Sequence, residues 1–440
     1  MKKHKRQSKT GTVAPVPKPA RPPWAWFAII LLAAFALRAD TVFNGPYGRR
    51  VLRGFETQAV ADSLVNTGQF ANPFRFPTGP TAHLAPLFPM FLSGLMRATG
   101  NGKRYEVVKE LCSALAASLQ YALLPLLAFA LRVPKRVGIA AALLSIALFA
   151  AAPVSVRAVE TQGSFEHTYV ASGAVAVTLL AATTFRSHRF SPVWSAVWGF
   201  AWGVFLLLVP SMALVYPALL IAGLLCCQPE HRRPFALFAA CSTATLLLTL
   251  TPWTVRNLKV LGSPIWGRDN LGLELYASNN DCAAATYNEM YRSGCHARTH
   301  PNASPAEAAL IVQLGEAEYN SRRLKDATGW IVSNPGRFIT LTAKRVRLFW
   351  FPELGPASAS LPLWLITVLG FAGIGLCFVR NRLAAALFAA VLVFYSLGYS
   401  VVQHNVRYRY PILWASTFMA SYALMVLWQR MMEPRGSPRP

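Results

Sequence analysis

Long apolar stretches separated by short basic segments recur along most of the chain. Each is nearly free of charge and roughly 17–25 residues long, which is the length that crosses a bilayer as one α-helix. The pattern predicts ten spans, at about 24–43, 107–131, 137–154, 165–185, 191–208, 210–227, 234–252, 361–379, 383–402 and 410–428. We therefore predict an all-α multi-pass membrane protein of about ten transmembrane helices. It has a long first outer loop and a longer extracytoplasmic segment before the last three helices.

The polar intervals divide the chain into five regions. These are a disordered basic cytoplasmic tail (1–23), a transmembrane module with the first outer loop at 44–106 (24–252), an extracytoplasmic loop region (253–360), the C-terminal transmembrane helices (361–428) and a cytoplasmic tail (429–440). Within the outer segments, LFPMFLSGLM (87–96) predicts a helix lying in the membrane interface. Helical patterns also cover about 305–332 and 335–350.

Composition and charge agree with this topology. The 440 residues are 54% hydrophobic and only 14% charged, with 43 Lys and Arg against 18 Asp and Glu, a net charge of +25. Each short loop on the predicted cytoplasmic side carries at least two Lys or Arg, as in RVPKR (132–136) and RNR (380–382). This is the positive-inside pattern. The basic excess therefore follows from topology, and no nucleic-acid partner is predicted.

The first apolar stretch has two interpretations. Ala34-Phe35-Ala36 resembles a signal-peptidase site at the end of a short apolar region. Trp24 and Trp26 instead resemble interfacial anchors of a retained helix. We favour the retained helix.

Two of the seven cysteines, Cys282 and Cys295, lie in the second outer segment, where a disulfide would persist. They are candidates for a disulfide. A zinc site formed by them with His296 and His300 is the alternative, but the spacing matches no known zinc motif. No metal and no cofactor are predicted.

Unusual polar residues gather at the outer ends of the spans, whereas the middle portions of the spans carry almost no charge. The residues are Asp40, Glu56, His83, Glu160, Glu166, Arg256, His404, Arg407 and Arg409. Transporters typically place such groups at the midplane of the membrane. The observed placement favours chemistry on a lipid headgroup at the outer surface.

Glu56 is the most unusual of these residues because its i+4 and i+8 neighbours, Val60 and Leu64, are apolar. Residues at that spacing share one helical face, so Glu56 is expected on a packed face rather than in open water. Burial there would raise the pKa of the carboxyl and make it a stronger base. The alternative is a solvated residue in the first turn of a helix.

Several outer segments, in order, resemble one family of membrane enzymes. They are FETQAVADSLVNTGQFANPF, TGPTAHLAPLFPMFLSGLMRATG, TPWTVRNLKVLG, NLGLELYASNN, THP (299–301), LGEAEY (314–319), WIVSNPGRFITLTAKRVRLFW and RYRYP (407–411). The chain resembles the GT-C membrane glycosyltransferases over about residues 24–428. It is similar to the branch with the protein O-mannosyltransferases and the lipid A aminoarabinose transferases.

The resemblance implies transfer of a sugar, hexosyl or pentosyl, from a polyprenyl-phosphate donor. The acceptor is a protein, lipid or glycan on the outer, periplasmic face of the cytoplasmic (inner) membrane. Glu56 matches the family's catalytic carboxylate, where many relatives carry Asp, and would act as general base in the module at 24–252. Many relatives have Arg-Pro at the start of the sixth span, whereas this chain has Val209-Pro210. One cation that grips the carrier is therefore expected to be missing.

Further roles follow from position. Asp40 is the competing carboxylate. The predicted donor-phosphate groups are Arg256, Arg407, Arg409 and His83, since Arg matches phosphate oxygens well. The arginines alternatively snorkel to lipid headgroups, and His83 alternatively only hydrogen-bonds in its loop.

Glu160 and Glu166 either contact the acceptor or are simply solvated, and Glu316 is either structural or acceptor-facing. Two other functions are alternatives for the whole chain. One is a transporter or flippase for lipid-linked sugar, and the other is a non-catalytic scaffold for envelope assembly.

Overall fold

The computed structural model describes residues 21–44, 56–152, 157, 160–355 and 357–432. These residues form α-helices joined by loops and short 3-10 turns, and no β-strand occurs among them. The helices are α1 (Trp24–Asn44), α2 (Glu56–Thr67), α3 (Leu87–Thr99), α4 (Lys103–Ala122), α5 (Leu124–Ala130), α6 (Lys135–Ala151), α7 (His167–Arg186), α8 (Pro192–Leu208), α9 (Val215–Leu225), α10 (Arg232–Leu261), α11 (Leu271–Ser278), α12 (Tyr287–Arg292), α13 (Cys295–Thr299), α14 (Pro305–Leu314), α15 (Glu316–Ser333), α16 (Pro335–Trp350), α17 (Ala357–Arg380), α18 (Arg382–Ser400) and α19 (Tyr410–Met432).

Seven helical segments of the described chain are long and apolar enough to cross a membrane. They are Trp24–Asn44, Lys103–Ala130, His167–Arg186, Pro229–Leu261, Ala359–Arg380, Arg382–Ser400 and Val406–Met432. Each coincides with a predicted span, so the chain is an all-α multi-pass membrane protein.

The number of spans is not confirmed as ten. The predicted spans at 191–208 and 210–227 fall on α8 and α9, which have 17 and 11 residues. The span at 137–154 falls on α6, also of 17 residues. Pro210 explains one interruption, because proline disfavours a helical conformation at the preceding residue. Val209 is accordingly extended, at φ −150° and ψ 89°, and α8 ends at Leu208.

The centre of the bundle is α19, which has most of its residues buried and packs against α6, α7, α17 and α18. The approach of α17 to α19 is very close at Gly373. A Cβ there would collide with the carbonyl oxygen of Met419. Small residues let membrane helices approach in this way, so the pair packs tightly by van der Waals contact.

The two outer segments meet at the end of the bundle where α1 and α10 finish, which we call the outer end. The first supplies α2 and α3, in agreement with the helix predicted at 87–96, and the second supplies α11 to α16. Apolar side chains join the first segment to the top of α10. The cluster contains Val60, Phe70, Ala82, Leu84 and Trp253. The loop that follows α2 is thereby fixed to a membrane helix.

A disulfide joins Cys282 to Cys295, whose Cα atoms are 5.6 Å apart. It fastens α13 to the segment before α12. Because both sulfurs are bonded to each other, they are not available as thiolates, and the zinc alternative is wrong.

Part of each predicted tail lies outside the described residues. These parts are 1–20 of the N-terminal tail and 433–440 of the C-terminal one. The last helix continues to Met432, beyond the predicted end at 428.

Candidate active site at the outer end

Glu56, the first residue of α2, lies between two imidazole rings. Its Oε2 is 3.3 Å from Nε2 of His83, and its Oε1 is 3.8 Å from Nε2 of His300. Both histidines are buried, while the Glu56 side chain keeps 29% of its surface exposed. The carboxylate is therefore positioned by protein groups and is still accessible from outside.

The loop that carries His83 is fastened by a buried carboxylate. Glu316, at the start of α15, accepts hydrogen bonds from the Thr81 hydroxyl and from the Ala82 backbone N–H, the latter at 2.6 Å. Asp269 donates its backbone N–H to the Ala82 carbonyl at 2.8 Å. Glu316 is only 5% exposed, so of its two predicted roles the structure supports the structural one.

His300 reaches Glu56 from the second outer segment. It follows α13 directly, and its ring stacks on that of His296 with centroids 4.6 Å apart. The Asn302 backbone N–H donates to its Nδ1 at 3.2 Å, so the proton of the neutral ring lies on Nε2, facing Glu56. His300 therefore presents a donor to the carboxylate.

The electrostatics of Glu56 differ from the prediction. Burial acts to raise its pKa, but His83 first, then His300 and Arg268, lower it, and the net pKa lies well below the usual range. The expectation of a raised pKa was wrong because it included desolvation and omitted cationic partners from distant parts of the chain. Glu56 is an ionised carboxylate and a weaker base than predicted.

The histidines respond in opposite directions. Burial acts to lower the pKa of His83, but the carboxylate of Glu56 raises it above its ordinary value. The pKa of His300 is lowered, chiefly by burial. Burial and His300 together lower the pKa of His296 to about 4. The centre thus contains an ionised Glu56, a readily protonated His83 and two neutral imidazoles.

Arg268 is a cation of this site that the sequence analysis missed. Its Nε donates to the backbone carbonyl of His83 at 3.0 Å, and its Nη1 lies 3.8 Å from Oε1 of Glu166. The side chains of Arg268 and Glu166 are each 25% exposed. Glu166 is thus neither solvated alone nor remote, since Arg268 connects it to the His83 loop.

Arg407 approaches the same region from the start of the last span. Its guanidinium lies over the ring of Phe165, 3.8 Å from the ring centroid. Tyr287 interacts electrostatically with both Arg407 and Glu56. Burial raises the pKa of its hydroxyl, Arg407 lowers that pKa and Glu56 raises it. Arg407 and Glu56 therefore act on a common neighbour.

The other two predicted phosphate-binding arginines have different partners. Arg256 donates from Nη1 to the Thr81 carbonyl at 2.7 Å and from Nη2 to the Phe70 carbonyl at 2.9 Å. Arg409 is 4% exposed and donates to the Trp350 carbonyl and the Thr367 hydroxyl, both at 2.6 Å. Both arginines hold segments together through the groups that would otherwise bind phosphate.

Asp40 and Glu160 also lie apart from the imidazole cluster. Asp40 is exposed and accepts a hydrogen bond from Asn44, one turn later on α1, at 2.7 Å. Glu160 is buried and accepts from Arg38 Nε at 2.7 Å and from the Tyr121 hydroxyl at 2.8 Å. The structure therefore gives Glu160 neither of its predicted environments, acceptor contact or solvent, because its oxygens are occupied by protein donors.

No group of three or more His, Cys, Asp or Glu side chains in the described part of the chain is arranged to hold a metal ion.

No protein-family model matches the sequence, and no curated protein matches it. Solved structures do match. The oligosaccharyltransferase AglB of Archaeoglobus fulgidus, in complex with an inhibitory peptide and a dolichol-phosphate, aligns with 94% of this chain at a TM-score of 0.52 and 17% identity. Its apo form aligns with 93% at 0.54 and 15%. The chain has a GT-C fold. That fold is the one that the resemblance in the outer segments predicted.

The matching proteins are longer than this chain. The chain spans about half the length of AglB, 52% and 51% in the two structures. ArnT of Cupriavidus metallidurans, bound to undecaprenyl phosphate, aligns over 96% of this chain and 82% of its own length, with 16% identity. Its TM-score of 0.36 is too low to bear on the fold.

Proposed function

We propose that the protein is an integral membrane glycosyltransferase. It transfers a sugar from a polyprenyl-phosphate donor to an acceptor on the outer face of the cytoplasmic membrane. The observation that carries the proposal is the Glu56 carboxylate, held by His83 and His300 at the outer end of a GT-C bundle and still part-exposed. A dolichol-phosphate accompanies AglB, a protein of the same fold, which supports a carrier of this chemical class.

The reaction requires one bond to form and one to break. The acceptor hydroxyl oxygen attacks the anomeric carbon, and the bond between that carbon and the phosphate oxygen breaks. The electron pair leaves with the polyprenyl phosphate, and the acceptor proton passes to a carboxylate oxygen of Glu56. General-base assistance of this kind contributes about 10²–10⁴ in rate.

The low pKa of Glu56 is compatible with this role because an attacking hydroxyl becomes acidic only as the new bond forms. The ionised form is then available at any neutral pH, and His83 keeps it in place. The Nε2–H of His300 faces the other oxygen from 3.8 Å and attracts it electrostatically. The two imidazoles are positioning residues, and Glu56 is the residue that meets the substrate.

For the departing phosphate, we assign Arg268 and Arg407 as the main cations, whereas His83, predicted for this role, is paired with Glu56. Arg268 adjoins the His83 loop and retains exposed surface. The Arg407 guanidinium packs over the ring of Phe165 and forms no salt bridge among the described residues. Arg256 and Arg409 support the surrounding backbone instead. A guanidinium fork is well suited to phosphate oxygens.

The test compares glycolipids and glycans of cells that contain the wild-type chain, the Glu56→Gln variant or no chain. We expect the product of the wild type to be lost in Glu56→Gln, with membrane insertion and amount unchanged. Asp40→Asn and Glu353→Gln are matched controls, because both carboxylates are exposed and outside the cluster. Full product from Glu56→Gln, or its loss in Asp40→Asn alone, would reject the assignment.

A further inference from the structure

A polar cavity lies at the opposite end of the bundle from Glu56. Its volume is about 500 Å³, and the lining residues come from four separate segments at helix ends and the adjoining loops. The side chains that define it are Arg132, Arg186, Gln228, Arg380, Asn381 and Arg382. Helix α18 begins here, at Arg382, and its 19 residues run about 28 Å toward the outer end. We call this the arginine cavity.

Arginines at helix ends on this side are expected from the positive-inside rule, but that rule predicts charges spread in water. Here four of them share one concave surface, and no Asp or Glu is among its lining residues. The helix dipoles oppose them only in part. Four helices end at the cavity, each with about half a negative charge, and α18 begins there with about half a positive one. The net field remains strongly positive.

The floor of the cavity is rigid. Arg186 is half-buried and donates from Nη2 to the Leu131 carbonyl at 3.0 Å and also to the Asn381 side chain. Asn381 donates to the same carbonyl at 2.7 Å. The Nε of Arg186 is buried and has no hydrogen-bond partner among the described residues. Protein acceptors therefore do not saturate this guanidinium.

Arg132 is held at the rim by an unusual backbone. Its φ is +54°, in the left-handed region, two residues after the end of α5. Its N–H donates to the Phe129 carbonyl, and the next N–H, of Val133, donates to Ala128. This is the helix ending in which glycine is the usual residue. An arginine here adopts a strained conformation at the mouth of the cavity.

We propose that the arginine cavity binds the phosphate group of an anionic ligand on the side predicted to be cytoplasmic. The phosphate is that of a membrane lipid headgroup or of a soluble phosphate compound. Basic pockets between transmembrane helices on that side bind phosphorylated headgroups in general. This inference is independent of the proposed transferase activity.

The experiment uses the full chain in neutral detergent. Phosphatidylglycerol and phosphatidylcholine with identical acyl chains are added, and bound lipid is measured by native mass spectrometry. Arg380→Gln/Arg382→Gln removes two exposed rim charges. Arg232→Gln/Arg233→Gln removes two exposed charges from the same side that are not among the lining residues, and is the matched control.

We expect preferential retention of phosphatidylglycerol by the wild type and binding weaker by about tenfold or more in the rim variant. The control should stay within about twofold. Displacement of the lipid by inorganic phosphate or glycerol phosphate would identify a soluble ligand, and its absence a lipid. The proposal is overturned if neither phosphatidylglycerol nor a soluble phosphate binds the wild type more tightly than the rim variant. It is also overturned if the control variant loses as much binding as the rim variant.

Discussion

Glu160 and Glu56 are both acidic residues predicted at the outer ends of spans, and the structure treats them in opposite ways. Glu160 is buried against Arg38, a permanent cation with no exposed surface, and its second oxygen accepts from Tyr121. Glu56 faces imidazoles and keeps 29% of its side chain exposed. The first carboxylate has every oxygen occupied by the protein.

The difference shows how partners decide what a carboxylate can do. A guanidinium in a closed site compensates the charge and leaves no position for a substrate. Imidazoles hold the carboxylate more weakly, are themselves titratable and leave one side open. We therefore expect substitutions at Glu160 to affect folding and those at Glu56 to affect chemistry.

The largest expected effect on stability belongs to Glu160→Gln. It leaves the Arg38 charge buried without its partner, and breaking such a pair costs about 3–5 kcal/mol. Glu56→Gln, at a part-exposed pair, should cost about 1 kcal/mol or less. Thermal unfolding of the two purified variants checks the contrast. Equal losses would show that both carboxylates are structural.

The disulfide sharpens the comparison because it anchors the helix that delivers His300 to Glu56. Replacing both Cys282 and Cys295 by Ser should lower the free energy of unfolding by about 2–4 kcal/mol. The disulfide joins cysteines 13 positions apart, and without it the unfolded chain gains conformational freedom over that loop. Transfer should fall as well. The double variant Cys112→Ser/Cys241→Ser, made at free cysteines, is the control. Indistinguishable stability of the two doubles would contradict the anchoring role.

Arg256 and Arg268 allow the same contrast among cations. Arg256→Gln should cost about 1.5–3 kcal/mol of stability, because it loses charged hydrogen bonds to the Phe70 and Thr81 carbonyls. Arg268→Gln should instead reduce transfer with a smaller loss of stability. Melting curves and product analysis of both variants separate the two. If Arg256→Gln reduces transfer without lowering stability, Arg256 would instead be a phosphate-binding residue.

The smallest effect is the pH dependence of the Glu56–His83 pair. The raised pKa of His83 stabilises the fold below the ordinary histidine pKa, and this contribution is lost as pH rises through the raised value. The lowered pKa of Glu56 stabilises above the ordinary glutamate pKa and is lost in acid. The contribution of the pair is therefore greatest at roughly pH 4.5–6.5.

His83→Gln should accordingly destabilise more near pH 6 than near pH 9, as roughly set by the ordinary histidine pKa. His300, Arg268 and Glu316 also face the pair and remain in the variant, so the comparison isolates His83. Unfolding midpoints at the two pH values provide the measurement. A constant difference would mean that His83 does not titrate with Glu56.

The membrane segments were readable from sequence because a span is a local property: length and apolarity suffice. Seven predicted spans coincide with long apolar helices. The other three predicted spans fall on shorter helices. The predicted break near Val209 agrees with the end of α8 at Leu208, but a 3-10 turn at Pro210–Met212 delays the start of α9 to Val215, and hydropathy does not register that turn.

The candidate site was only partly predictable, because its pairs join distant parts of the chain. Glu56 and His83 were identified by position and family resemblance. His300 appeared only in a rejected zinc alternative, and Arg268 was missed entirely. Arg38, the partner of Glu160, lies 122 residues away from it in the sequence. Its position within the first predicted span gives no sign of that pairing. Arg256 was singled out from its position, but its backbone acceptors, the Phe70 and Thr81 carbonyls, cannot be read from sequence.

The bridge between Thr286 and His404 has a consequence for how the protein is made. His404 is synthesised near the end of translation, so its backbone hydrogen bonds with Ala285 and Tyr287 form only after most of the chain has been made. A chain released prematurely by the ribosome would lack these bonds between the second outer segment and the start of the last helix.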